Sequence, residues 1–449
     1  MIKLNGDNAA VTGLKNPVKA EIKVPGDKSI SHRAVMLSAI SSGESKIVNL
    51  SVSRDNMMTV AAFRQLGVKI EWVGSSCLIK GKTLYELAEP KKYINTGNSG
   101  TLTRLIAGIL AGTNFFSVLS GDKYLNSRPV ERIVAPLKLM GARIFGRHND
   151  KFPPLAIVGS KLNSIYYEVP VASAQVKSCI IFAAISAAGN TIIYERKKTR
   201  DHTERFLKLQ GYPVTVHDAE NGGSLISIKG GGELKPFDIN IPGDFSSAAF
   251  FIALGLLVRD AEITIKNVLL NERRVGLLNI LKKMNAEIEI SDCVNGFEKI
   301  GTIKASYSDL LPVSVSAEDV SDMIDEFPVF AVVASFAAGK TEVRGAKELR
   351  VKETDRIKAI VSNIARFGIK IDEFEDGFEI SGDPTIKEIK GHKTVKVDSF
   401  GDHRIAMSMV IMGLLLKNVK TFVKGVRCIN TSFPDFFDTI YSMLKKADI

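Results

Sequence analysis

The feature that most constrains the fold is a pattern that recurs six times along the chain. Each copy has a polar segment, an apolar helix, a Gly or polar turn and a strand rich in β-branched residues. The copies are spaced at roughly 70–80 residues, which is typical of repeat architectures. The predicted apolar helices are SISHRAVMLSAI, SGTLTRLIAGILAG, SAQVKSCIIFAAISAAG, FSSAAFFIALGLL, DEFPVFAVVASFAAG and DHRIAMSMVIMGLLL. A helix that is apolar all round is buried, so each repeat needs neighbours to cover it.

Two repeats begin with nearly the same segment, IKVPGD at 22–27 and INIPGD at 239–244. The two PGD turns mark equivalent points and divide six repeats into two groups of three. We therefore predict an α/β protein with two similar domains. One comprises residues 25–242, and the other is discontinuous and comprises residues 1–24 plus 243–449. The segment before the first PGD turn is expected to pair with the last three repeats.

The composition indicates an ordinary globular protein. Apolar residues make up 45% of the 449 residues and charged residues 24%, and no apolar run is long and clean enough to span a bilayer. The N-terminus resembles neither a signal nor a transit peptide, so we predict a cytoplasmic protein without a membrane partner. The four cysteines are scattered and are expected to be free thiols. The six histidines form no metal-binding cluster, and we predict no metal.

The formal charge of +11 suits two kinds of partner, nucleic acid or a small polyanionic substrate. The lysines are spread along the chain, and a single Trp is present without an RNA-binding aromatic pattern. We predict no nucleic-acid partner and keep a non-catalytic polyanion-binding protein as an alternative function.

Polar and charged residues collect at the starts of the buried helices. A helix start offers free N–H groups and the positive end of the helix dipole, which favours anions. If the buried helices of each domain are parallel, their positive ends converge on one face, and two opposed faces would form a cleft that attracts anions. The candidate anion-binding residues are Lys28, Arg33, Arg104, Arg128, Arg200, Lys352, Arg356 and Arg404.

Two carboxylates lie among these cations. Glu353 lies between Lys352 and Arg356, which the spacing places on one helical face, and a glutamate in such a position suits proton transfer. Asp325 opens a buried helix, where it could cap the helix or accept a hydrogen bond from a sugar or cyclitol hydroxyl. The chain lacks GxGxxG and P-loop motifs, which argues against dinucleotide and ATP chemistry.

Seven motifs in order cover nearly the whole chain and closely resemble those of the 5-enolpyruvylshikimate-3-phosphate (EPSP) synthase family. They are PGDKSISHRA, GNSGTLTRL, NSRPVERI, SAQVKS, the DE pair at Asp325, LRVKETDRI and GDHRIAM. The resemblance implies two domains, each an inside-out α/β barrel of three repeats. It also implies a monomer without a metal or organic cofactor.

The resemblance further implies transfer of the enolpyruvyl group of phosphoenolpyruvate to the 5-hydroxyl of shikimate 3-phosphate. The implied proton-transfer residues are Lys28, Asp325 and Glu353. The implied shikimate 3-phosphate residues are Lys28, Ser29, Arg33, Ser173, Ala174, Gln175, Arg200, Asp325 and Lys352. The implied phosphoenolpyruvate residues are Lys28, Gly100, Arg128, Gln175, Lys352, Arg356 and Arg404.

Some positions depart from the common family pattern. Thr431 stands where many members carry a lysine, and Arg200 stands where many carry a serine. Both are similar to the family's second sequence class, which includes members tolerant of glyphosate. Gly100, however, stands where the tolerant members carry an alanine that crowds this competitive inhibitor.

The nearest alternative enzyme is the sister family that transfers enolpyruvyl to UDP-N-acetylglucosamine. That family opens with a Lys-Asn pair and usually has a reactive cysteine in a mobile loop. Here Lys28 precedes Ser29, and the corresponding loop, 119–128, contains no cysteine.

Overall fold

The computed structural model describes residues 2–220, 222–388 and 393–447. The chain forms two compact units. The central unit is Gly26–Ile241, and the terminal unit combines Met1–Pro25 with Pro242–Ile449.

The strands are short, and each runs for two to nine residues. Those of the first half are β1 (Ile2–Asn5), β2 (Asn8–Thr12), β3 (Lys19–Lys23), β4 (Gly43–Val48), β5 (Lys69–Val73), β6 (Ser76–Gly81), β7 (Ile94–Asn95), β8 (Phe116–Ser120), β9 (Arg143–Gly146), β10 (Phe152–Val158), β11 (Tyr166–Val169) and β12 (Asn190–Glu195). Those of the second half are β13 (Val214–Asp218), β14 (Ser224–Lys229), β15 (Asp238–Asn240), β16 (Glu262–Leu269), β17 (Glu287–Asn295), β18 (Lys299–Ser306), β19 (Ser314–Val315), β20 (Gly339–Val343), β21 (Lys370–Phe374), β22 (Gly377–Gly382), β23 (Lys393–Asp398) and β24 (Val419–Lys424).

The helices alternate with these strands along the chain. They are α1 (Lys28–Ala39), α2 (Arg54–Gln65), α3 (Gly100–Ala111), α4 (Glu131–Leu139), α5 (Arg147–Asp150), α6 (Ala174–Ser186), α7 (His202–Leu209), α8 (Phe245–Leu257), α9 (Gly276–Lys283), α10 (Ala317–Val320), α11 (Phe327–Ala334), α12 (Arg356–Arg366), α13 (His403–Leu415) and α14 (Phe436–Ala447). Short 3-10 turns lie at Leu84–Glu86, Leu125–Ser127, Lys347–Val351, Pro384–Glu388 and Val426–Thr431.

The described residues form six four-stranded sheets, three in each unit, and all six are built to one plan. In each sheet an outer parallel pair is followed by two antiparallel pairings, as in the order β15-β4-β6-β5. The other two sheets of the central unit have the orders β7-β8-β10-β9 and β11-β12-β14-β13. Those of the terminal unit are β1-β2-β24-β23, β17-β18-β16-β3 and β19-β20-β22-β21. The strands before the first PGD turn therefore pair with strands of the last three repeats.

Six of the helices form the interior of the two units, namely α1, α3, α6, α8, α11 and α13. In the terminal unit α8, α11 and α13 pack against one another. All thirteen residues of α8 are buried, because its sequence FSSAAFFIALGLL offers no polar face. The sheets cover these helices with one apolar face each, as in β24, where Val419, Thr421 and Val423 are buried and Lys420 and Lys424 are exposed. Each unit thus has the helix-in, sheet-out arrangement of an inside-out barrel.

The second helix of each repeat is amphipathic. In α12 the residues Ile357, Ile360 and Ile364 are buried on one face at helical spacing. The described part of the chain contains no helix with the length and apolarity needed to cross a membrane. The four cysteines carry free thiols.

The PGD turns bring a glycine against a neighbouring backbone. A Cβ atom on Gly26 would lie 2.0 Å from the carbonyl oxygen of Asn49, so only glycine fits there. The carboxylate of Asp27 then accepts a hydrogen bond from Ile30 N at 2.8 Å and caps α1. The glycine of the PGD sequence thus allows the turn to pack against the backbone of Asn49, and its aspartate fixes the start of α1.

Candidate active site

Lys28 is the first residue of α1 and lies at the positive end of that helix. Its ammonium group is 2.5 Å from the carboxylate of Asp55, and its side chain is 16% exposed. The amide of Asn56 donates to the Lys28 carbonyl at 3.1 Å. Both residues come from the first turns of α2, so α2 holds Lys28 at the helix start. A held cation beside free helix N–H groups is suited to an anionic ligand.

Arg33 lies one turn further along α1 and is almost completely buried. Its guanidinium donates to Ser29 O at 3.0 Å, to Ser178 Oγ at 2.8 Å and to Thr203 Oγ1 at 2.7 Å. Ser29 and Arg33 thus lie on the same side of α1, as the four-residue spacing predicts. Because Ser178 belongs to α6 and Thr203 to α7, the same guanidinium links three helices of the central unit.

His32, between these two residues on α1, makes the stability of the protein depend on pH. Burial lowers the pKa of its imidazole well below 6.5, and the nearby Lys28 and Arg33 lower it further. The unfolded chain therefore binds a proton near pH 6.5 that the folded chain does not bind. It follows that stability is fully present above that pH and is lost as the pH falls through it.

We expect the free energy of unfolding to fall by up to about 1.4 kcal/mol per pH unit below pH 6.5, in proportion to this one proton. Urea unfolding at pH 7.5, 6.5 and 5.5 measures the slope, and His32→Gln is expected to reduce it. The exposed His217, replaced in the same way, should leave the slope unchanged. Equal slopes in the wild type and His32→Gln would contradict the assignment.

The starts of α3 and α6 meet around two arginines. Arg104 donates to Gln175 Oε1 at 2.8 Å, and Gln175 Nε2 donates to Thr101 Oγ1 at 3.0 Å. Arg128 donates to Asn98 Oδ1 at 2.6 Å. A Cβ atom on Gly100 would lie 2.6 Å from Arg104 Nη1 and 3.4 Å from Arg128 Nη1. The absence of a side chain at Gly100 therefore makes room for both guanidinium groups.

The remaining predicted residues of the central unit lie at or beside helix starts. Ser173 caps α6 by accepting from Val176 N at 3.4 Å, and Ala174 is the first residue of that helix. Both are half-buried, as is Arg200, which lies just before α7. The predicted residues of α1, α3 and α6 thus lie in the first turns or caps of buried helices, whereas Arg128 and Arg200 lie in the segments before the amphipathic helices α4 and α7.

A buried ionic network, which sequence reasoning missed, lies beneath these residues. The Lys177 ammonium is 2.8 Å from Glu195 and 2.7 Å from Glu204, and all three side chains are at most 3% exposed. Burial alone would lower the pKa of Lys177, but the two carboxylates outweigh it and raise that pKa. Burial raises the pKa of Glu204. The network connects α6, two residues after Gln175, to α7 shortly after Arg200. The sequence did carry one sign of this network, namely the charged Lys177 inside the otherwise apolar helix segment SAQVKSCIIF.

In the terminal unit three arginines surround Asp325. Arg274 Nη1 is 3.4 Å from Asp325 Oδ2, and Arg356 Nη1 is 3.5 Å from Oδ1. Arg404 Nη1 donates to the Asp325 carbonyl at 3.2 Å, and its Nη2 lies 3.7 Å from Oδ2. The Asp325 side chain keeps 18% of its surface exposed. A carboxylate has only acceptor oxygens, so the partly exposed Asp325 can receive the O–H group of a ligand hydroxyl.

Asp325 does not cap its helix, contrary to one of the two roles considered from sequence. Helix α11 begins two residues later, at Phe327, and its N-cap residue is Glu326. Pro328 at the second position of α11 suits a helix start, where a missing N–H group is tolerated. Asp325 therefore lies in the preceding turn, which directs its carboxylate to the arginines.

The prediction that Lys352 and Arg356 share one helical face is wrong. Lys352 has φ −82° and ψ −149°, and it follows the 3-10 turn Lys347–Val351. Helix α12 begins only at Arg356, because Asp355 caps it by accepting from Lys358 N at 3.1 Å. The two cations are instead brought together by the turn between these helical segments.

Arg356 is fully buried and pairs with three carboxylates, including Asp325. It donates to Asp402 at 2.8 Å and to Glu353 at 2.6 Å. Burial alone would lower its pKa, but Asp402, Glu353 and Asp325 raise it. Burial lowers the pKa of the Lys352 ammonium, and Arg356 adds to this effect while Asp325 opposes it.

Arg404 lies at the start of the last buried helix. Asp402 caps α13 by accepting from Arg404 N at 2.8 Å. Arg356 Nε donates to the same carboxylate at 2.8 Å. Asp402 therefore positions two of the residues predicted to bind phosphoenolpyruvate. Thr431, where the family often has a lysine, ends the 3-10 turn Val426–Thr431.

The arrangement of sheets and buried helices recurs in solved structures. The enolpyruvyl transferase NikO from Streptomyces tendae has a TM-score of 0.74 at 14% sequence identity, covering 97% of this chain and 96% of that one. At this identity the likeness shows the fold alone, which is that of an enolpyruvyl transferase. EPSP synthase from Acinetobacter baumannii has a TM-score of 0.83 at 36% identity, covering 97% of this chain and 98% of that one.

The sequence comparisons narrow this class to one family. The 3-phosphoshikimate 1-carboxyvinyltransferase of Citrifermentans bemidjiense is 46% identical over 430 residues, which cover 96% of this chain and 97% of the relative. The family model of EPSP synthase (3-phosphoshikimate 1-carboxyvinyltransferase) matches residues 13–440. The chain belongs to the EPSP synthase family. The predicted fold class and family resemblance are confirmed, and neither alternative function is favoured.

Proposed function

We propose that the protein transfers the enolpyruvyl group of phosphoenolpyruvate to the 5-hydroxyl of shikimate 3-phosphate, a step of chorismate and aromatic amino acid biosynthesis. The observation that carries this proposal is the family match over residues 13–440. The cations at the starts of the buried helices support it, since both substrates are anions. No cofactor is needed, because the leaving group and the transferred carbons both come from phosphoenolpyruvate.

The reaction proceeds by addition and elimination. The 5-hydroxyl oxygen bonds to C2 of phosphoenolpyruvate while its methylene carbon takes up a proton, which gives a tetrahedral intermediate. The bond from C2 to the phosphate oxygen then breaks, and the new methyl group returns a proton. The products are 5-enolpyruvylshikimate 3-phosphate and inorganic phosphate. Fixed cations favour this path because negative charge moves onto the departing phosphate.

For shikimate 3-phosphate we propose a set of residues drawn mainly from the central unit. Supporting this choice, Ser29 and Arg33 lie together on α1, and Ser173 and Ala174 lie at the start of α6. The full proposed set is Lys28, Ser29, Arg33, Ser173, Ala174, Gln175, Arg200, Asp325 and Lys352.

For phosphoenolpyruvate we propose a second set, in which cations predominate. In the terminal unit Arg356 and Arg404 are positioned by the shared Asp402. In the central unit Arg128 lies beside Gly100, where an added Cβ atom would be 3.4 Å from its Nη1. The full proposed set is Lys28, Gly100, Arg128, Gln175, Lys352, Arg356 and Arg404.

For proton transfer we propose Asp325, Glu353 and Lys28. Asp325 would accept the proton of the 5-hydroxyl, since its carboxylate is partly exposed and an aspartate side chain is ionised at neutral pH. Glu353 and Lys28 would serve the methylene carbon. Glu353 is held 2.6 Å from Arg356, which we assign to phosphoenolpyruvate.

The test is release of inorganic phosphate from phosphoenolpyruvate with either of two acceptors. We expect release with shikimate 3-phosphate and none with UDP-N-acetylglucosamine. Mass spectrometry should identify the enolpyruvyl ether as the second product. Release with the nucleotide sugar would support the sister activity, and no release with either acceptor would overturn the proposal.

Gly100→Ala is expected to weaken binding of phosphoenolpyruvate and of the competitive inhibitor glyphosate. The added methyl group would lie 2.6 Å from Arg104 Nη1, so that guanidinium group must move, and it would lie 3.4 Å from Nη1 of Arg128, which we assign to phosphoenolpyruvate. We expect KM for phosphoenolpyruvate to rise about 10-fold, equivalent to one charge-assisted hydrogen bond, and the glyphosate inhibition constant to rise at least as much. Steady-state kinetics at fixed shikimate 3-phosphate measure both values.

The matched control for this variant is Gly296→Ala, where an added Cβ atom meets only the Glu298 carbonyl at 4.0 Å. It should retain wild-type constants. An unchanged KM in Gly100→Ala would show that the guanidinium groups near Gly100 do not contact phosphoenolpyruvate.

We further propose a monomeric enzyme that works in the cytoplasm. The free thiols of Cys77, Cys179, Cys293 and Cys428 support a reducing compartment. Sedimentation equilibrium tests the oligomeric state, for which a mass near 48.9 kDa is expected.

A further inference from the structure

Arg274 is a buried cation of the terminal unit for which the family motifs provide no role. It lies in the turn between β16 and α9, and its side chain is only 2% exposed. The turn is closed by hydrogen bonds from Arg274 N to Asn271 O at 2.8 Å and from Arg273 N to Asn271 Oδ1 at 2.9 Å. The backbone of Arg274 is therefore fixed locally. A buried guanidinium must be paired to be tolerated.

Arg274 has partners in two distant segments of the chain. Its Nη2 donates to Asp244 Oδ1 at 2.9 Å and to Ser246 Oγ at 3.0 Å, both at the start of α8. Its Nη1 donates to Asp325 Oδ2 at 3.4 Å. Asp244 also caps α8 by accepting from Ser246 N at 2.9 Å. One side of the guanidinium is thus anchored to a helix start, and the other faces Asp325.

The three arginines around Asp325 differ in their surroundings. Arg404 lies furthest from the carboxylate, with Nη2 3.7 Å from Oδ2, and Arg356 contacts Glu353 and Asp402 as well as Asp325 Oδ1. Arg274 contacts the other carboxylate oxygen, Oδ2. Because the two oxygens are held by different arginines, rotation of the carboxylate would lengthen both contacts.

A second link from α8 reaches the residue after Asp325. Ser246, which accepts from Arg274, donates its hydroxyl proton to Glu326. Asp325 and Glu326 are therefore both connected to the start of α8, through Arg274 and Ser246 respectively. Lysine could not replace this arrangement, since an ammonium group is a point charge without the planar fork of arginine.

We infer that Arg274 is a positioning residue, which orients the Asp325 carboxylate to take the proton of the acceptor hydroxyl. The inference rests on the proposed function, in which Asp325 is the base. Arg274 acts through Asp325 and contacts neither substrate. Its loss should therefore slow the chemical step while leaving phosphoenolpyruvate binding in place.

The experiment compares Arg274→Gln with Arg273→Gln. Arg273 is the neighbouring residue, and its side chain is 36% exposed. Within the described residues its one salt bridge is to Asp322, at 3.6 Å. We expect Arg274→Gln to lower kcat about 100-fold with KM for phosphoenolpyruvate within about 2-fold of wild type. Arg273→Gln should retain kcat.

A double-mutant cycle with Asp325→Asn separates positioning from general damage. If Arg274 acts through Asp325, then Arg274→Gln should lower kcat by less than about 3-fold in the Asp325→Asn background. The same loss in both backgrounds would overturn the inference, as would a wild-type kcat in Arg274→Gln. Unfolding midpoints are measured for every variant. If Arg274→Gln does not fold, Arg274→Lys replaces it in the same cycle, with a reduced kcat and the same non-additivity expected.

Phosphate release by the wild type and by Arg273→Gln distinguishes failure of the proposed function from failure of the inference about Arg274. If both release phosphate with shikimate 3-phosphate, the proposed function stands, and the cycle alone decides the role of Arg274. If neither releases phosphate, the proposed function fails and the inference fails with it.

Discussion

Asp325→Asn is expected to lower kcat for phosphate release by about 10³-fold, within the range for loss of a general base. The amide has almost the shape of the carboxylate but cannot accept a proton. It also leaves the guanidinium groups of Arg274, Arg356 and Arg404 around a neutral group. Steady-state kinetics with both substrates measure the effect. We expect KM for phosphoenolpyruvate to change far less than kcat, because that substrate is assigned to other residues.

The matched control is Asp322→Asn, three residues earlier in the same segment and paired with the half-exposed Arg273. It should keep kcat within about 2-fold of wild type, because its carboxylate pairs with the half-exposed Arg273 at 3.6 Å and accepts from Ser321 Oγ at 3.2 Å, away from the Asp325 carboxylate. Retention of more than a fifth of the wild-type kcat in Asp325→Asn would exclude Asp325 as the base. Thermal unfolding of both variants shows whether a loss of activity reflects a loss of structure.

Lys28→Ala is expected to lower kcat/KM for phosphoenolpyruvate by about 10³-fold. The substitution removes a cation from the start of α1, where the helix dipole already favours an anion. It also leaves Asp55, whose side chain is 6% exposed, without its cation at 2.5 Å. A carboxylate near the same helix start then opposes binding of anionic substrates.

Two further variants test this explanation. Lys28→Ala combined with Asp55→Asn should recover part of the lost affinity, because the opposing charge is gone. Lys46→Ala, on the exposed face of β4, should behave as wild type. Equal kcat/KM in Lys28→Ala and the wild type would show that Lys28 contacts neither substrate nor the transition state.

The six buried helices could be predicted because their sequences allow no other environment. In α8 and α13 all thirteen residues are buried, and any exposed face would present apolar surface to water. The starts of α1, α3, α6 and α13 are also set locally, since Asp27, Ser99, Ser173 and Asp402 cap these helices through short-range hydrogen bonds. These features depend on residues within four positions of one another.

The immediate surroundings of the catalytic candidates could not be read in this way. The hydrogen bonds of Asp325 to Arg356, Arg274 and Arg404 join residues 31, 51 and 79 positions apart. The pairing of Lys177 with Glu195 and Glu204 similarly crosses between helix, strand and helix. The error at Lys352 has a local origin, since spacing alone did not show that Asp355 starts a new helix at Arg356.

The amino-acid sequence by itself determined the repeat, the buried helices and the family. These follow from hydrophobic periodicity and from motifs that can be compared directly. Only the tertiary structure decided which arginines surround Asp325, that Arg274 is among them, and that Asp402 positions both Arg356 and Arg404. The physical reason is that packing of the buried helices brings their starts together, and the charge partners of a buried group are set by that packing and not by their spacing along the chain.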